Sequence, residues 1–462
     1  MAAGAIPTEL GTKPVRQLIR QYAVPGIIAM TASSLYNMVD SIFIGHIPGE
    51  GAMAISGLAV TFPLMNISTA LGTLVGVGAA TMISILLGQK DYRKANKVLA
   101  NEVTLNILTG ILFTTVMLIW MNPILRFFGA SEATLPHARA YMTIIAIGNI
   151  VTHLYFGLNS VIRSSGNPKI AMSLTLFTVI SNAILDPVFI FVFGMGIRGA
   201  AIATVLCQCM ALAYTMWFFL DKKKFLHLEG RDIMRVDWRI ARESLSIGMG
   251  PFLMNLASCI VVLFINRQLK FYGGDISIGA YGTINRISFL FVMIVMGFNQ
   301  GMQPIAGYNF GAKQYPRVLE VYKRTMMWAT VICIAGFIIS EVFPGAAVSL
   351  FVDKSTGDST ALHSLATHGL RLLNCAFPII GFQMVTTNLF QCLGMVKQSI
   401  FLSLSRQLLF LLPLVYLLPG IMESTDGVWL SFPISDTIAS IVTGMMAVKL
   451  IRNLKSIPQH NE

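Results

Sequence analysis

Two aspartates, Asp40 and Asp186, lie inside long apolar stretches of a chain whose other charged residues gather mainly at the ends of such stretches. Tyr36 precedes Asp40 by four residues and Asn182 precedes Asp186 by four, so each acid shares a helix face with a second polar group. A carboxylate at bilayer depth is costly unless it faces a wet cavity or a partner. The two acids therefore indicate a functional site.

The chemistry of this site follows from its ligand types and their depth. Carboxylate, amide and hydroxyl oxygens are hard ligands that suit Na⁺ or protons, whereas thiolate and imidazole suit softer metals. At about 1.5 Å per helical residue, Asp40 lies about 30 Å and Asp186 about 25 Å from the inner ends of their helices, and Thr204 about 9 Å from an outer end. We expect Asp40, Asn182, Asp186 and Thr204 to converge on a cation or proton site.

An alternative is that either acid pairs with an arginine inside the membrane, for example Arg286 or Arg406. Such a pair would make the acid structural. The sequence leaves this alternative open.

Composition assigns the class of protein. The chain has 462 residues, of which 55% are hydrophobic and 12% charged, and its mean hydropathy is +0.70. These values are far outside the range of soluble proteins and predict a polytopic membrane protein. The net charge of +12 could suit nucleic acid, but membrane proteins concentrate Lys and Arg in cytoplasmic loops, so we expect no nucleic-acid partner.

Twelve apolar stretches are long enough to cross about 30 Å of hydrocarbon. The sequence thus predicts an all-α membrane protein with twelve transmembrane helices near 21–45, 53–87, 97–121, 139–162, 170–193, 198–220, 244–270, 278–309, 324–345, 368–393, 398–419 and 427–450. No signal-peptide pattern precedes the first helix.

The basic residues predict the orientation. Most of the 33 Lys and Arg residues fall in alternate loops if the N-terminus is inside, so both termini are expected to be cytoplasmic. The richest basic segment, 221–243, separates the first six helices from the last six. We interpret it as a solvated linker beside anionic headgroups.

The two halves of the chain are distant copies. The run Gly88 to Lys94 after the second helix matches Gly311 to Arg317 after the eighth, and Pro25 matches Pro251. Six helices per repeat give both copies the same orientation, so the repeats are parallel. We expect two pseudo-symmetric six-helix bundles around a central cleft, an N-lobe of residues 1–230 that holds the cation site and a C-lobe of residues 231–462.

Pro25 lies on the helix of Asp40, fifteen residues earlier. Proline removes a backbone donor and crowds the preceding turn, so this helix is expected to have a hinge there. No phosphate-binding loop of the GxxxxGK[ST] type is present in the sequence, and the energy source is therefore expected to be an ion gradient.

Three residues are candidates for a substrate cavity. Asp436 lies deep in the last helix, as either a counterion for a drug or a locally hydrogen-bonded structural acid. Met254 and Met293 belong to a Met-rich second half that would repack around different ligands. The six cysteines lie in apolar spans and are expected to be core residues rather than metal ligands.

Several segments in both halves carry a resemblance to a known family. They are Pro25, Asn37 to Gly45, Arg163 to Lys169, Asn182 with Asp186 and Pro187, and Gly301 to Ala312. With these features the chain resembles the multidrug and toxic compound extrusion (MATE) family, most of all its DinF-like bacterial and archaeal branch. The resemblance covers essentially the whole chain.

The resemblance implies a multi-pass transporter of the bacterial or archaeal plasma membrane that exports bulky, often cationic amphipathic drugs by cation-coupled antiport. It implies a cation or proton site formed by the residues that match the DinF-like pattern, which are Tyr36, Asp40, Asn182, Asp186 and Thr204. The expected partners are small-molecule drugs and the lipid bilayer, the protein is expected to be a monomer, and no cofactor is expected beyond H⁺ or Na⁺ as the coupling ion.

Two other functions remain as alternatives. A flippase for a lipid-linked precursor would need a cleft rich in cationic residues to bind a pyrophosphate. The sequence offers few candidates for such residues, among them Arg286 and Arg406. A membrane enzyme would need a nucleophile, metal or phosphate motif, and none accompanies the acids in the sequence. The sequence therefore favours a transporter over an enzyme.

Overall fold

A computed structural model describes residues 8–49, 51–229, 233, 235–351 and 357–456, and these residues form helices and their connections without a strand. Eleven helices are long and apolar enough to cross a membrane, and a bent pair makes a twelfth span in the described part of the chain. The twelve predicted spans are thus confirmed. In chain order we name them α1 Val15–Ile44, α2 Ser56–Gly88, α3 Tyr92–Phe127, α4 Leu135–Ser164, α5 Pro168–Val192, α6 Ile197–Leu220, α7 Trp238–Gly274, α8 Ile276–Gly311, α9 Tyr315–Val342, α10 Thr360–Asn374 with Phe377–Cys392, α11 Val396–Met422 and α12 Asp426–Ser456.

The tenth span, predicted as one helix over 368–393, is broken. Its two parts meet at an angle of 54°. Pro378 stands in the first turn of the second part, where the missing N–H costs nothing, and it disfavours helical backbone at the residue before it. The break leaves Cys375 exposed between the two parts.

Two spans contain a π-helical turn. In α5 the turn Val188–Val192 follows Pro187 directly, and in α11 the turn Ser405–Leu411 precedes Leu412 and Pro413. A π turn adds a residue to the helical repeat and is found often at functional sites. Asp186 lies two residues before the first of these turns and Arg406 lies within the second.

The chain forms two compact units, one made of Met1–Lys13 and Ile28–Asn255 and the other of Pro14–Ile27 and Leu256–Glu462. Both α1 and α7 are therefore divided between units, at positions that correspond in the two repeats. The lobes predicted at 1–230 and 231–462 divide the chain by sequence repeat and remain a prediction.

Glycines allow the first part of each divided helix to pack closely within its unit. A Cβ added at Gly301 of α8 would lie 2.6 Å from the Cα of Ala23 in α1. A Cβ added at Gly78 of α2 would lie 3.3 Å from the backbone nitrogen of Gly248 in α7. The two crossings involve corresponding positions of the two halves, which agrees with parallel repeats.

A hydrophobic cluster of the first unit fixes the helices around the predicted site. It contains Ile44 of α1, Ile190 of α5 and Ala201 of α6. Each of these residues lies about one helical turn from Asp40, Asp186 or Thr204, so apolar packing holds the polar groups at one level.

Candidate functional site

The five predicted site residues belong to the first unit, and Thr204 is hydrogen-bonded to two of the others. The Tyr36 hydroxyl lies 3.0 Å from Thr204 Oγ1, and Asn182 Nδ2 donates to the same oxygen over 3.3 Å. Thr204 itself donates to the carbonyl of Ala200 over 3.1 Å. Because its only hydrogen is used there, Thr204 accepts from both neighbours and connects α1, α5 and α6.

The two acids lie together beside this group. The carboxyl groups of Asp40 and Asp186 interact with each other, and Asn182 interacts with Asp186. The exposed fraction is 6% for Asp40 and 0% for Asp186. The structure thus brings together the side chains that the sequence placed at one depth.

Four oxygens of this cluster are buried without a hydrogen bond of ordinary length to any described residue. They are Asp40 Oδ1, Asn182 Oδ1 and both carboxyl oxygens of Asp186. Buried polar atoms nearly always have partners, so a group of such atoms indicates a bound proton, ion or water. The arrangement can accept protons or coordinate a hard cation through oxygen.

Neither acid forms an ion pair with Lys, Arg or His in the described part of the chain. Arg406, which the sequence offered as a partner, is bound to Asp436 instead through Nε and Oδ1 at 2.6 Å. Arg286 is exposed. The described residues therefore do not support a structural pairing of the site acids.

The sequence did not single out Tyr141 as part of the site. This residue of α4 is 1% exposed and lies within electrostatic reach of both Asp40 and Asp186. The helix α4 is therefore the fourth helix that contributes a side chain to the surroundings of the two acids. A tyrosine in an apolar span has no sequence feature that separates it from ordinary core packing.

Glu102 of α3 is a second buried acid that the sequence did not single out. It is 1% exposed, and Asn106 Nδ2 donates to its Oε1 over 2.6 Å. Its Oε2 has no hydrogen-bond partner among the described residues. The criterion that selected Asp40 and Asp186, an acid within an apolar stretch, would have found it.

The three substrate-cavity candidates fall in different units. Met254 belongs to the first unit, and Met293 and Asp436 belong to the second. Both methionines are partly buried and Asp436 is buried. Their common role in a substrate cavity stays a prediction.

Pro25, the predicted hinge, is buried within a continuous α1. It stands two residues before the boundary at which α1 passes from one compact unit to the other.

Among the described residues, no group of three or more His, Cys, Asp or Glu side chains could hold a metal ion.

Comparison with known sequences gives a family for the chain. The family model MatE matches residues 25–188 and again residues 247–417. The multidrug export protein MepA of Staphylococcus aureus is 28% identical over 447 residues, which cover 95% of each chain. MepA of Staphylococcus saprophyticus is 27% identical over 432 residues, 94% of this chain and 93% of the relative. These relatives give no support to the flippase alternative.

Comparison with solved structures shows a shared fold. An outward-facing multidrug resistance MATE family transporter of the MOP superfamily has a TM-score of 0.90 at 22% identity and covers 98% of this chain and 100% of its own. A MATE in the bent conformation has a TM-score of 0.90 at 23% identity, covering 98% and 99%. A MATE in the straight conformation has a TM-score of 0.89 at 23% identity, covering 98% and 100%.

Proposed function

This chain belongs to the MatE family of multi-pass membrane transporters, and we propose that it is a cation-coupled antiporter that exports bulky amphipathic drugs, often cationic, by alternating access. One observation carries the coupling step: Asp40, Asn182 and Asp186 together present four buried oxygens without hydrogen-bond partners among the described residues. A single bound cation would coordinate several of them at once, and a proton on one carboxyl would be shared with a second oxygen.

The physical case for coupling rests on uncompensated charge. Two adjacent carboxylates in a poorly solvated site repel each other and lose hydration. Protonation converts one carboxyl into a donor for the other, and Na⁺ would be held by the same oxygens. The coupling ion is therefore H⁺ or Na⁺, with Tyr36 and Thr204 orienting the ligands.

Ion binding is coupled to a conformational change through α1. This helix carries Tyr36 and Asp40 in the first unit, and its earlier part, up to Ile27, belongs to the second. Proline at position 25 lacks the N–H that would stabilise the helix, so bending is easiest close to the boundary. Ion binding would change the bend of α1 and thereby favour one state of the transport cycle.

The remaining parts of the proposal concern substrate and location. We place the transporter in a bacterial or archaeal plasma membrane with both termini cytoplasmic, as a monomer that moves drugs outward. The family relatives named above are multidrug export proteins. Met254, Met293 and Asp436 are proposed to contribute to the drug cavity.

The test is drug uptake into inverted vesicles with a Na⁺ gradient or a pH gradient imposed separately. One gradient should drive uptake in the wild type, and Asp40→Asn and Asp186→Asn should each abolish it. Asp91→Asn is the matched control, because Asp91 is an exposed helix cap that Asn can replace. Full gradient-driven uptake in both site variants would refute the coupling role.

A further inference from the structure

Arg406 and Asp436 form a partly buried ion pair between α11 and α12 in the second unit. Arg406 Nε donates to Asp436 Oδ1 over 2.6 Å, and the side chains are 26% and 5% exposed respectively. Of the two, the arginine side chain is therefore the more accessible.

The pair lies near the middle of the membrane. Arg406 follows the start of α11 at Val396 by ten residues and Asp436 follows the start of α12 at Asp426 by ten, which places each about 15 Å along its helix. A guanidinium at this depth is costly in contact with lipid, so its exposed part is expected to face a water-filled space. Lipid headgroups lie at the bilayer surface and do not fit this depth.

The fold does not require these charges. The corresponding residues of the first repeat, 228 positions earlier, are Thr178 and Gln208. Gln208 Oε1 accepts from Thr152 Oγ1 over 2.5 Å and Thr178 Oγ1 donates to the Thr175 carbonyl over 2.8 Å, so both positions are neutral and hydrogen-bonded to other residues there. Since a buried ion pair is weak evidence for stability, the charges of the second repeat call for another explanation.

The guanidinium is only partly used. Arg406 contacts Asp436 through Nε, and its two terminal nitrogens make no hydrogen bond to any described residue. Both terminal nitrogens carry N–H donors in the planar arrangement that binds carboxylates through paired hydrogen bonds. A negatively charged group could therefore bind Arg406 while Asp436 still holds Nε.

The backbone around the pair is fixed. Arg406 is the second residue of the π turn Ser405–Leu411, and its carbonyl accepts from Ser435 Oγ over 3.0 Å. Gln407 Nε2 donates to Ser258 Oγ over 2.9 Å, which ties α11 to α7. These bonds hold the backbone that carries Arg406, and the bond from Nε to Asp436 holds the guanidinium, before any ligand arrives. This lowers the cost of binding.

We propose that Arg406 binds the carboxylate of zwitterionic amphipathic drugs, with Asp436 holding the guanidinium in place. This proposal rests on the proposed function only in taking the ligand to be an exported drug. It assigns to the second unit a specificity for charge that differs from the cation chemistry of Asp40 and Asp186.

The test compares two dyes that differ in one group. Rhodamine B carries a carboxylate beside its cationic ring system, and in its ethyl ester the carboxylate is blocked. Their dissociation constants are measured by fluorescence anisotropy on purified protein in phosphatidylcholine nanodiscs without any gradient. The readout is the ratio of the ester's constant to that of the free acid, so a general loss of binding cancels.

The proposal predicts opposite effects for the two partners. Arg406→Gln should lower the ratio about tenfold, because the paired hydrogen bonds and the positive charge are lost. Asp436→Asn should raise it, because the Asn oxygen can still accept from Arg406 Nε while the charge that repels the carboxylate and attracts the cationic ester is lost. Arg406→Lys keeps the charge but loses the planar donors and should lower the ratio less.

Three controls keep the result interpretable. Arg286→Gln changes an exposed arginine in the same unit and should leave the ratio unchanged. The double variant Arg406→Gln with Asp436→Asn removes both charges, so it avoids a lone charge if a single variant fails to fold. It should still lower the ratio, because the paired hydrogen bonds to the carboxylate are lost while the net charge is unchanged. Asp40→Asn should keep the ratio even if transport is lost, which separates this proposal from ion coupling.

Two outcomes would overturn the proposal. The first is an unchanged ratio in the double variant and in every Arg406 or Asp436 variant that folds. The second is a shift of the same sign in Arg406→Gln and Asp436→Asn. Cys375 offers a second readout, because it is exposed and lies within electrostatic reach of Asp436. Bound rhodamine B should slow alkylation of Cys375 in the wild type but not in Arg406→Gln.

Discussion

Tyr36 of α1 and Thr204 of α6 share a hydrogen bond of 3.0 Å. Thr204 donates its own hydrogen to Ala200, so the phenol is the donor. This bond is the direct connection between the helix that carries Asp40 and the helix that follows Asp186 in the chain. If α1 moves so that Tyr36 and Thr204 separate, the buried Thr204 hydroxyl therefore loses one of the hydrogen bonds that it accepts.

Tyr36→Phe should weaken coupling with little effect on folding. The loss of one net hydrogen bond costs about 1 kcal/mol, and we expect gradient-driven drug uptake to fall severalfold at similar expression. Tyr214→Phe is the control, because Tyr214 is a 43% exposed tyrosine of α6. Uptake is measured in inverted vesicles at equal protein content. Equal uptake in Tyr36→Phe and the wild type would show that the bond has no part in transport.

Asp186→Asn should not destabilise the protein in detergent. Asp186 is fully buried, it faces a second carboxyl group, and neither of its oxygens has a hydrogen bond of ordinary geometry within the described chain. Without Na⁺ and at high pH the site holds no ion, and removing its uncompensated charge relieves a desolvation penalty, so we expect a gain of about 1–3 kcal/mol in the free energy of unfolding there. Thermal unfolding followed by tryptophan fluorescence measures it.

The wild-type comparison for this variant is made with and without Na⁺ and at two pH values. An ion that binds the native site raises wild-type stability, and this dependence should shrink in Asp186→Asn. A variant that unfolds at a much lower temperature than the wild type would mean that Asp186 has a structural partner.

The sequence predicted the number of spans and the convergence of Asp40, Asn182, Asp186 and Thr204, because hydrophobic length and helical rise are local quantities. The 54° break of α10 and the π turns at Val188–Val192 and Ser405–Leu411 were not predicted. Pro187, Pro378 and Pro413 mark where these helices are irregular, but a proline does not by itself specify the angle of a bend or the type of turn. The pairing of Arg406 with Asp436 depends on packing between α11 and α12.

The segment between α6 and α7 gives a further example, because its basic composition suggested a solvated linker. In the structure, Asn96 of α3 exchanges two hydrogen bonds with the segment: His227 N–H donates to Oδ1 over 2.9 Å and Nδ2 donates to the Phe225 carbonyl over 3.2 Å. Asn101 exchanges two bonds of 3.1 Å with the backbone of Asp237. Composition contains no information on such contacts.

Replacing these asparagines should release the segment. Asn96→Leu removes both donor and acceptor, whereas Asn96→Asp keeps only the acceptor, and each lost bond costs about 1 kcal/mol. Limited proteolysis between residues 221 and 237 should therefore become fastest in Asn96→Leu, with Asn96→Asp intermediate. The exposed Lys97 offers a control through Lys97→Gln. Identical cleavage rates in all four proteins would mean that the amide bonds do not hold the segment.

Glu102 and Gly157 form a close contact between α3 and α4. A Cβ added at Gly157 would overlap Glu102 Oε1 and lie 2.5 Å from Asn106 Nδ2. Gly157→Ala should therefore destabilise the protein by about 1–3 kcal/mol, the usual cost of overpacking a core. Combining Gly157→Ala with Glu102→Ala removes the obstructing carboxyl. We expect this double variant to recover most of the lost stability, because the Asn106 amide can then turn away from the added methyl group. The measurement is a double-mutant cycle of thermal stability in detergent. Additive losses from the two substitutions would show that Glu102 and Gly157 do not determine the spacing of α3 and α4.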